Sequence, residues 1–258
     1  MADFTTSDGA HLDYSDEGSG DPVVLIGGFA MGLGAWRLQR DHLASSHRVL
    51  AFDRRWHGAS DRPSNGHRLA RHAMDLRELL VGLDLDDVAV VGASMGASVI
   101  WAYCDLFGTE RLGCIVTIDQ TPKMVNDDDW SLGFYDLTWP NVHEFVAKFP
   151  DGRQPFHQMP GPDVLQLLLA DRTDVSFDDL RPLLRDHTMA DWRDVLPLID
   201  VPLLAITGRH SPFWPCESSM YVAETVKDGD VAIFEESGHV PFLEQPDEFN
   251  AILGGFLA

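Results

Sequence analysis

The chain has 258 residues, 45% hydrophobic and 23% charged, the composition of a folded globular protein with room for one large core. Its 19 basic and 41 acidic side chains leave a formal charge of -22, which disfavours nucleic acid and anionic membrane surfaces as partners. Three cysteines without a Cys-x-x-Cys pair exclude a disulfide framework and fit a reducing, cytoplasmic setting.

The opening stretch MADFTTSDGAHLDYSDEG has neither a basic start nor an apolar core, so no export signal is expected. No apolar run reaches the roughly 18 residues a membrane span needs. Six short β-branched runs follow, at 23–28, 48–53, 87–94, 113–119, 201–208 and 230–238, each ending in glycine or a polar cluster. Their continuous apolar character predicts strands buried on both faces. Between them lie amphipathic stretches such as RLARHAMDLRELLVGL, with Leu69, Ala73, Leu76, Leu79, Leu80 and Leu83 at helical spacing. Alternating strand and helix predicts an α/β fold with a doubly wound, mostly parallel sheet.

From about residue 120 to 200 that rhythm stops. The sequence becomes helical or irregular and carries Trp130, Phe134, Tyr135, Trp139, Phe145, Phe149, Phe156 and Trp192. The organisation expected is therefore a core of residues 1–119 and 201–258 with a helical cap, 120–200, inserted over the strand ends where such sheets bind ligands. About a third of these aromatics are expected to face a pocket, the rest forming the cap's own core. His-Glu-x-x-His, a calcium loop and a phosphate-cradling glycine loop are all missing from the sequence, so neither a metal nor a cofactor is expected.

Gly92-Ala93-Ser94-Met95-Gly96 fits G-x-S-x-G at a strand-to-helix junction. Such an elbow strains the serine and tolerates only small residues two places to either side. Ser94 is thereby exposed at the carboxyl end of the sheet, over a helix N-terminus that favours an oxyanion. The backbone N–H of Met95 is one expected oxyanion donor. The turn IGGF after the first of the six strands offers a second in the N–H of Phe29, with Gly27 and Gly28 letting the backbone approach. Near the other end, His239 in ESGHVPFLEQP follows the last strand and precedes a helix starting at about Pro246. That position suits a general base for the serine.

With IGGF, FDRRWHGASDRP, GASMG and SGHVPFLEQP in place, the chain resembles the α/β-hydrolase superfamily over nearly its whole length. It looks most like small bacterial serine esterases and lactonases and cofactor-free haloperoxidase-like (perhydrolase) members. Gly27-Gly28 stands where relatives usually carry His-Gly. Serine at the elbow sets the chain apart from the aspartate-based dehalogenases and epoxide hydrolases of this fold and suits acyl transfer. The FDRRWHGAS loop, with Arg54, Arg55 and His57, reads as an architectural turn.

A histidine base needs a carboxylate to hold its tautomer. The superfamily's commonest position for it is three residues past the glycine that ends the penultimate strand, and counting from Gly208 in LLAITGRHSPFWP lands on Ser211. The next acid is Glu217. Asp119, at the end of the strand beside that of Ser94, is the better-placed candidate, as in some superfamily lactone hydrolases and cofactor-free dioxygenases. The alternative is that Asp119 only caps the turn Gln120-Thr121-Pro122.

These residues predict a hydrolase cleaving a carboxylic ester or lactone of a moderately apolar small molecule through an acyl-enzyme on Ser94, with His239 and Asp119 completing a triad. Gly28, Trp130, Trp139, Trp214 and Val240 are expected to line the pocket, and His210 is left outside it. The rival readings are a cofactor-free dioxygenase acting on an aromatic heterocycle and a non-catalytic ligand receptor. The expected partner is a small-molecule substrate, and the sequence leaves a homodimer open.

Overall fold

In the computed structural model, which describes residues 2–170 and 176–258, eight strands form one sheet. They are β1 (Ala2–Thr5), β2 (His11–Gly18), β3 (Pro22–Ile26), β4 (Arg48–Phe52), β5 (Val88–Ala93), β6 (Leu112–Ile118), β7 (Leu203–Gly208) and β8 (Gly229–Phe234). The spatial order is β1-β2-β4-β3-β5-β6-β7-β8; β1 and β2 pair antiparallel, as do β2 and β4, and every other pair is parallel. The six β-branched runs are the six parallel strands, so the doubly wound sheet expected from the sequence is the one observed.

The helices are α1 (Arg37–Leu43), α2 (Leu69–Gly82), α3 (Met95–Phe107), α4 (Val142–Lys148), α5 (Pro162–Ala170), α6 (Phe177–Met189), α7 (Glu217–Thr225), α8 (Pro241–Glu244) and α9 (Pro246–Phe256). One face of the sheet packs on α2, α3 and α7 through Leu76, Leu80, Val99, Tyr103 and Val222. The other packs on α1, α8 and α9 through Leu43, Phe242, Phe249 and Leu253. Strands covered on both sides need apolar residues at every position, and β5 and β7 are buried along their full length. No helix among the described residues is long and apolar enough to cross a membrane.

The hairpin of β1 and β2 is absent from the sequence reading. DFTT and HLDYSDEG carry few apolar residues because these strands sit at the sheet edge, where β2 buries mainly Leu12, Tyr14 and Ser15. Between β6 and β7, α4, α5 and α6 alternate with irregular chain. Met124, Val125, Phe134, Leu137 and Val142 form a separate apolar cluster there, and Trp214 from the loop after β7 joins it.

Candidate active site

Ser94 occupies the single residue between β5 and α3, with φ 51° and ψ -123°. A non-glycine residue at positive φ is strained by about 1–3 kcal/mol and persists only where its surroundings enforce it. Here the Ser94 N–H donates to Ile118 O at 2.7 Å, and its carbonyl accepts from Ala97 N at 2.9 Å. The flanking glycines are steric necessities. A Cβ on Gly92 would lie 2.6 Å from the Gly96 backbone, and one on Gly96 would overlap the carbonyl oxygen of Ile26. The turn after β3 reaches the serine itself: a Cβ on Gly28 would stand 3.1 Å from Ser94 Cβ and 3.2 Å from Ala93 O.

Asp119 takes the corresponding place on the neighbouring strand. Ala93 and Ile118 are in register, so Ser94 and Asp119 each stand one residue past the ends of β5 and β6. Asp119 also has positive φ, 45°, is fully buried, and donates its N–H to Ile206 O at 2.7 Å. Four donors meet its carboxylate. Oδ1 accepts from Thr207 Oγ1 at 2.6 Å and from Gly208 N at 3.4 Å. Oδ2 accepts from Ser211 Oγ at 2.7 Å and faces His239 Nδ1 at 2.5 Å. Four hydrogen bonds are what an ionised carboxylate can take, and they fix its plane.

His239 lies in the loop between β8 and α8, 8% exposed. Its N–H donates to Pro155 O at 2.7 Å, and the preceding Gly238 N–H donates to Glu244 Oε1 at 2.8 Å. The other oxygen of Glu244 accepts from His157 N at 2.7 Å and Gln158 N at 2.9 Å, so one carboxylate ties the histidine loop to the chain after α4. With Nδ1 engaged by Asp119, Nε2 is the nitrogen left to exchange a proton. Phe213 and Trp214 stand edge-on to the imidazole at 4.5 and 5.4 Å.

Ser94 and His239 share the wall of a cavity of about 300 Å³. Gly28, Phe29, Trp214 and Val240 line it, as do Phe134, Phe145, Phe149 and Phe156 from the segment between β6 and β7, four of the nine aromatics in that interval. Phe177, Leu184 and His187 of α6 and Phe213 after β7 complete much of the wall; the sequence reading contained none of the three from α6. Helical spacing places Leu184 and His187 on one face of α6, but nothing in the sequence says which way that face turns.

Two pocket assignments are corrected. Trp130 points away from the cavity: its Nε1–H donates to Lys123 O at 2.8 Å, Tyr221 packs edge-on at 4.9 Å, and the Arg193 guanidinium lies over its ring at 5.2 Å. Trp139 sits 48% exposed on the surface and reaches Asp127 Oδ2 at 3.3 Å. Both rings have polar partners that hold them elsewhere. His210 also stays outside the cavity, stacked on His157 with ring centroids 3.8 Å apart.

His187 is the polar surprise in this wall. Burial and the nearby positive charge of Arg54 push it down to about 3, so it is neutral at physiological pH. Its Nδ1 has no hydrogen-bond partner among the described residues.

Residues 23–252 match the model of the alpha/beta hydrolase family. The chain belongs to this family. A non-heme haloperoxidase of Rhodococcus erythropolis is 27% identical over 100% of this chain and 99% of its own. Among solved structures, an esterase from Exiguobacterium antarcticum superposes with a TM-score of 0.90 at 24% identity, covering 99% of this chain and 98% of that one. The enol-lactonase from Burkholderia xenovorans LB400 superposes at 0.80 with 19% identity, covering 99% of both chains. At these identities the structural likeness speaks for the alpha/beta hydrolase fold, while the choice among the family's reactions rests on the site.

Proposed function

We propose that the protein hydrolyses carboxylic esters or lactones of moderately apolar small molecules through an acyl-enzyme on Ser94. The observation that carries this reading is the meeting, at one end of the sheet, of a strained serine, a histidine sharing its cavity, and a buried carboxylate 2.5 Å from that histidine. His239 Nε2 takes the Ser94 proton as Oγ attacks the carbonyl, and Asp119 holds Nδ1–H and balances the imidazolium. The N–H groups of Phe29 and Met95 receive the oxyanion, a role supported by the close approach of Gly28 to Ser94 and by Met95 opening α3. His239 then protonates the leaving alkoxide, which for a lactone stays attached to the acyl chain. Water activated by the same imidazole releases the acid.

A cavity of about 300 Å³ walled by phenylalanines suits a substrate with a small aromatic or branched apolar group. The name of the Rhodococcus relative favours one variation on the final step. Hydrogen peroxide in place of water would convert the acyl-enzyme to a peracid and regenerate Ser94 without a further group.

Intact-mass analysis with an aryl phosphonate, beside turnover of an ester and lactone panel, tests the proposal. One phosphonyl adduct on Ser94, and loss of both adduct and turnover in Ser94→Ala, are expected. Full turnover in Ser94→Ala, or substrate-dependent oxygen consumption without ester cleavage, would overturn it in favour of base-only or oxygenase chemistry.

A further inference from the structure

Arg54 follows β4 by two residues and is 1% exposed, yet its hydrogen-bond partners among the described residues include no carboxylate. Nε donates to Gly27 O at 3.1 Å, and Nη2 donates to Gly28 O at 2.6 Å and His57 Nε2 at 3.1 Å. Nη1 donates to His72 Nδ1 at 3.2 Å and Met95 Sδ at 3.6 Å. Those five acceptors use all five N–H groups of a guanidinium. Its neighbour Arg55 behaves as an ordinary structural cation, paired with Asp75 at 2.5 Å and with Asp8 at 3.1 Å. The FDRRWHGAS turn therefore holds two buried arginines with different employment.

The two histidines are matched to Arg54. His57 Nδ1 lies 3.0 Å from Arg55 O, so it carries the hydrogen and leaves Nε2 to accept. Burial, reinforced by the Arg54 charge, holds both His57 and His72 well below the usual histidine range, keeping them neutral acceptors. The nearby carboxylates are occupied elsewhere: Asp53 accepts from Leu33 N and Ala59 N, and Asp75 from Arg55 and Arg71. Burial lowers Arg54 itself only to about 9, so it stays charged at neutral pH. Among the described residues no carboxylate bonds to it, although the charges of Asp53 and Asp75 still favour its charged form.

Gly28 C=O and Phe29 N–H belong to one peptide unit. A cation donating to the oxygen of that unit fixes its plane and polarises its N–H, since hydrogen bonds in series strengthen one another. The same guanidinium touches the Met95 side chain, so it bridges the two backbone segments that supply the oxyanion donors. Resting on the acyl-transfer reading above, we propose that Arg54 is a positioning residue of the oxyanion hole, holding and polarising the Gly28–Phe29 peptide for the transition state. Its place is behind the hole, out of reach of the substrate: it does not line the cavity, while Gly28, Phe29 and Ser94 do.

Such a residue acts on the rate and leaves ground-state binding alone. With p-nitrophenyl acetate, Arg54→Met should lower kcat and the rate of Ser94 phosphonylation by about 10²-fold, the scale of losing one oxyanion donor, with KM changed by less than about threefold. Arg54→Lys, which keeps the charge, should recover part of the rate. A folded Arg54→Met protein with unchanged kcat, or with the loss confined to KM, would overturn the inference. Should that variant not fold, NMR of the unmutated protein decides. The Arg54 Nη–H signals should shift together with the Phe29 amide on phosphonylation, and guanidinium signals that stay put while Phe29 moves would overturn it. A wild-type protein that neither labels nor hydrolyses defeats the acyl-transfer reading, a result distinct from normal labelling with no effect of Arg54.

Discussion

The hydroxyl of Ser211 donates a 2.7 Å hydrogen bond to Asp119 Oδ2, the same oxygen that faces His239 Nδ1. The residue at the position where the superfamily resemblance expects the acid thus bonds to the carboxylate proposed to act in its place from the neighbouring strand. Asp119→Asn should keep the fold and lower ester turnover about 10⁴-fold, because an amide cannot hold the productive tautomer. Adding Ser211→Asp to Asp119→Asn should recover at least roughly tenfold of that loss, since a carboxylate is then restored from the β7 side. Steady-state kinetics on the two variants check both statements; near-wild-type turnover in Asp119→Asn would remove the residue from the mechanism.

The elbow and the histidine loop were legible in the sequence because glycines and strand ends are local signals. Gly92 and Gly96 mark a close approach that no side chain survives, and His239 follows a run of strand residues. Asp119 needed a step of elimination, as nothing local distinguishes a carboxylate bonded to Thr207 and Ser211 from one that caps a turn. The cavity wall was the least legible part. Trp130 and Trp139 looked equivalent to Phe149 and Phe156, yet an indole N–H seeks a polar partner, and Lys123 O and Asp127 draw both tryptophans to other places. Arg54 and Arg55 are adjacent in sequence, and only tertiary contacts separate their tasks. The edge hairpin escaped because its half-exposed strands do not need the apolar runs that announce a central one.

The two kinds of tight glycine should separate stability from rate. Gly96→Ala drives a methyl group into the Ile26 carbonyl inside the core, and a loss of at least about 2 kcal/mol in urea unfolding is expected. Gly28→Ala meets Ser94 Cβ at 3.1 Å, a contact that a small shift of the turn relieves. Its main effect should fall on kcat, by roughly tenfold or more, with stability within about 1 kcal/mol of wild type. Equal effects of the two variants on both readouts would contradict this assignment of the turn.

The cavity wall gives a second contrast. Phe149 lines the cavity and packs edge-on against Phe29 with ring centroids 5.9 Å apart, whereas Trp139 is 48% exposed and outside it. For an aryl ester, Phe149→Ala should raise KM by about fivefold or more, the worth of lost apolar contact, while Trp139→Ala should leave kcat and KM within about twofold. Parallel measurement on a short aliphatic ester should show a smaller effect of Phe149→Ala, since less of the wall is used.

Stability should also fall when the medium turns mildly acidic, because His57, His72 and His187 are all buried in the neutral form. Their folded values lie below the roughly 6.5 of an unfolded histidine, so below that pH the unfolded chain binds more protons than the folded one. The stability they protect is therefore complete above about pH 6.5 and is lost as pH falls, at up to about 1.4 kcal/mol per pH unit for each histidine. Arg54 sharpens the effect, since its charge opposes protonation of all three. Urea unfolding at pH 7.5, 6.5 and 5.5 should show little change over the first interval and a steep decline over the second. His187→Leu should flatten the second interval by about one histidine's share, as Nδ1 of His187 has no partner to lose among the described residues. An unfolding midpoint that is flat between pH 6.5 and 5.5 would mean that these imidazoles are not held neutral.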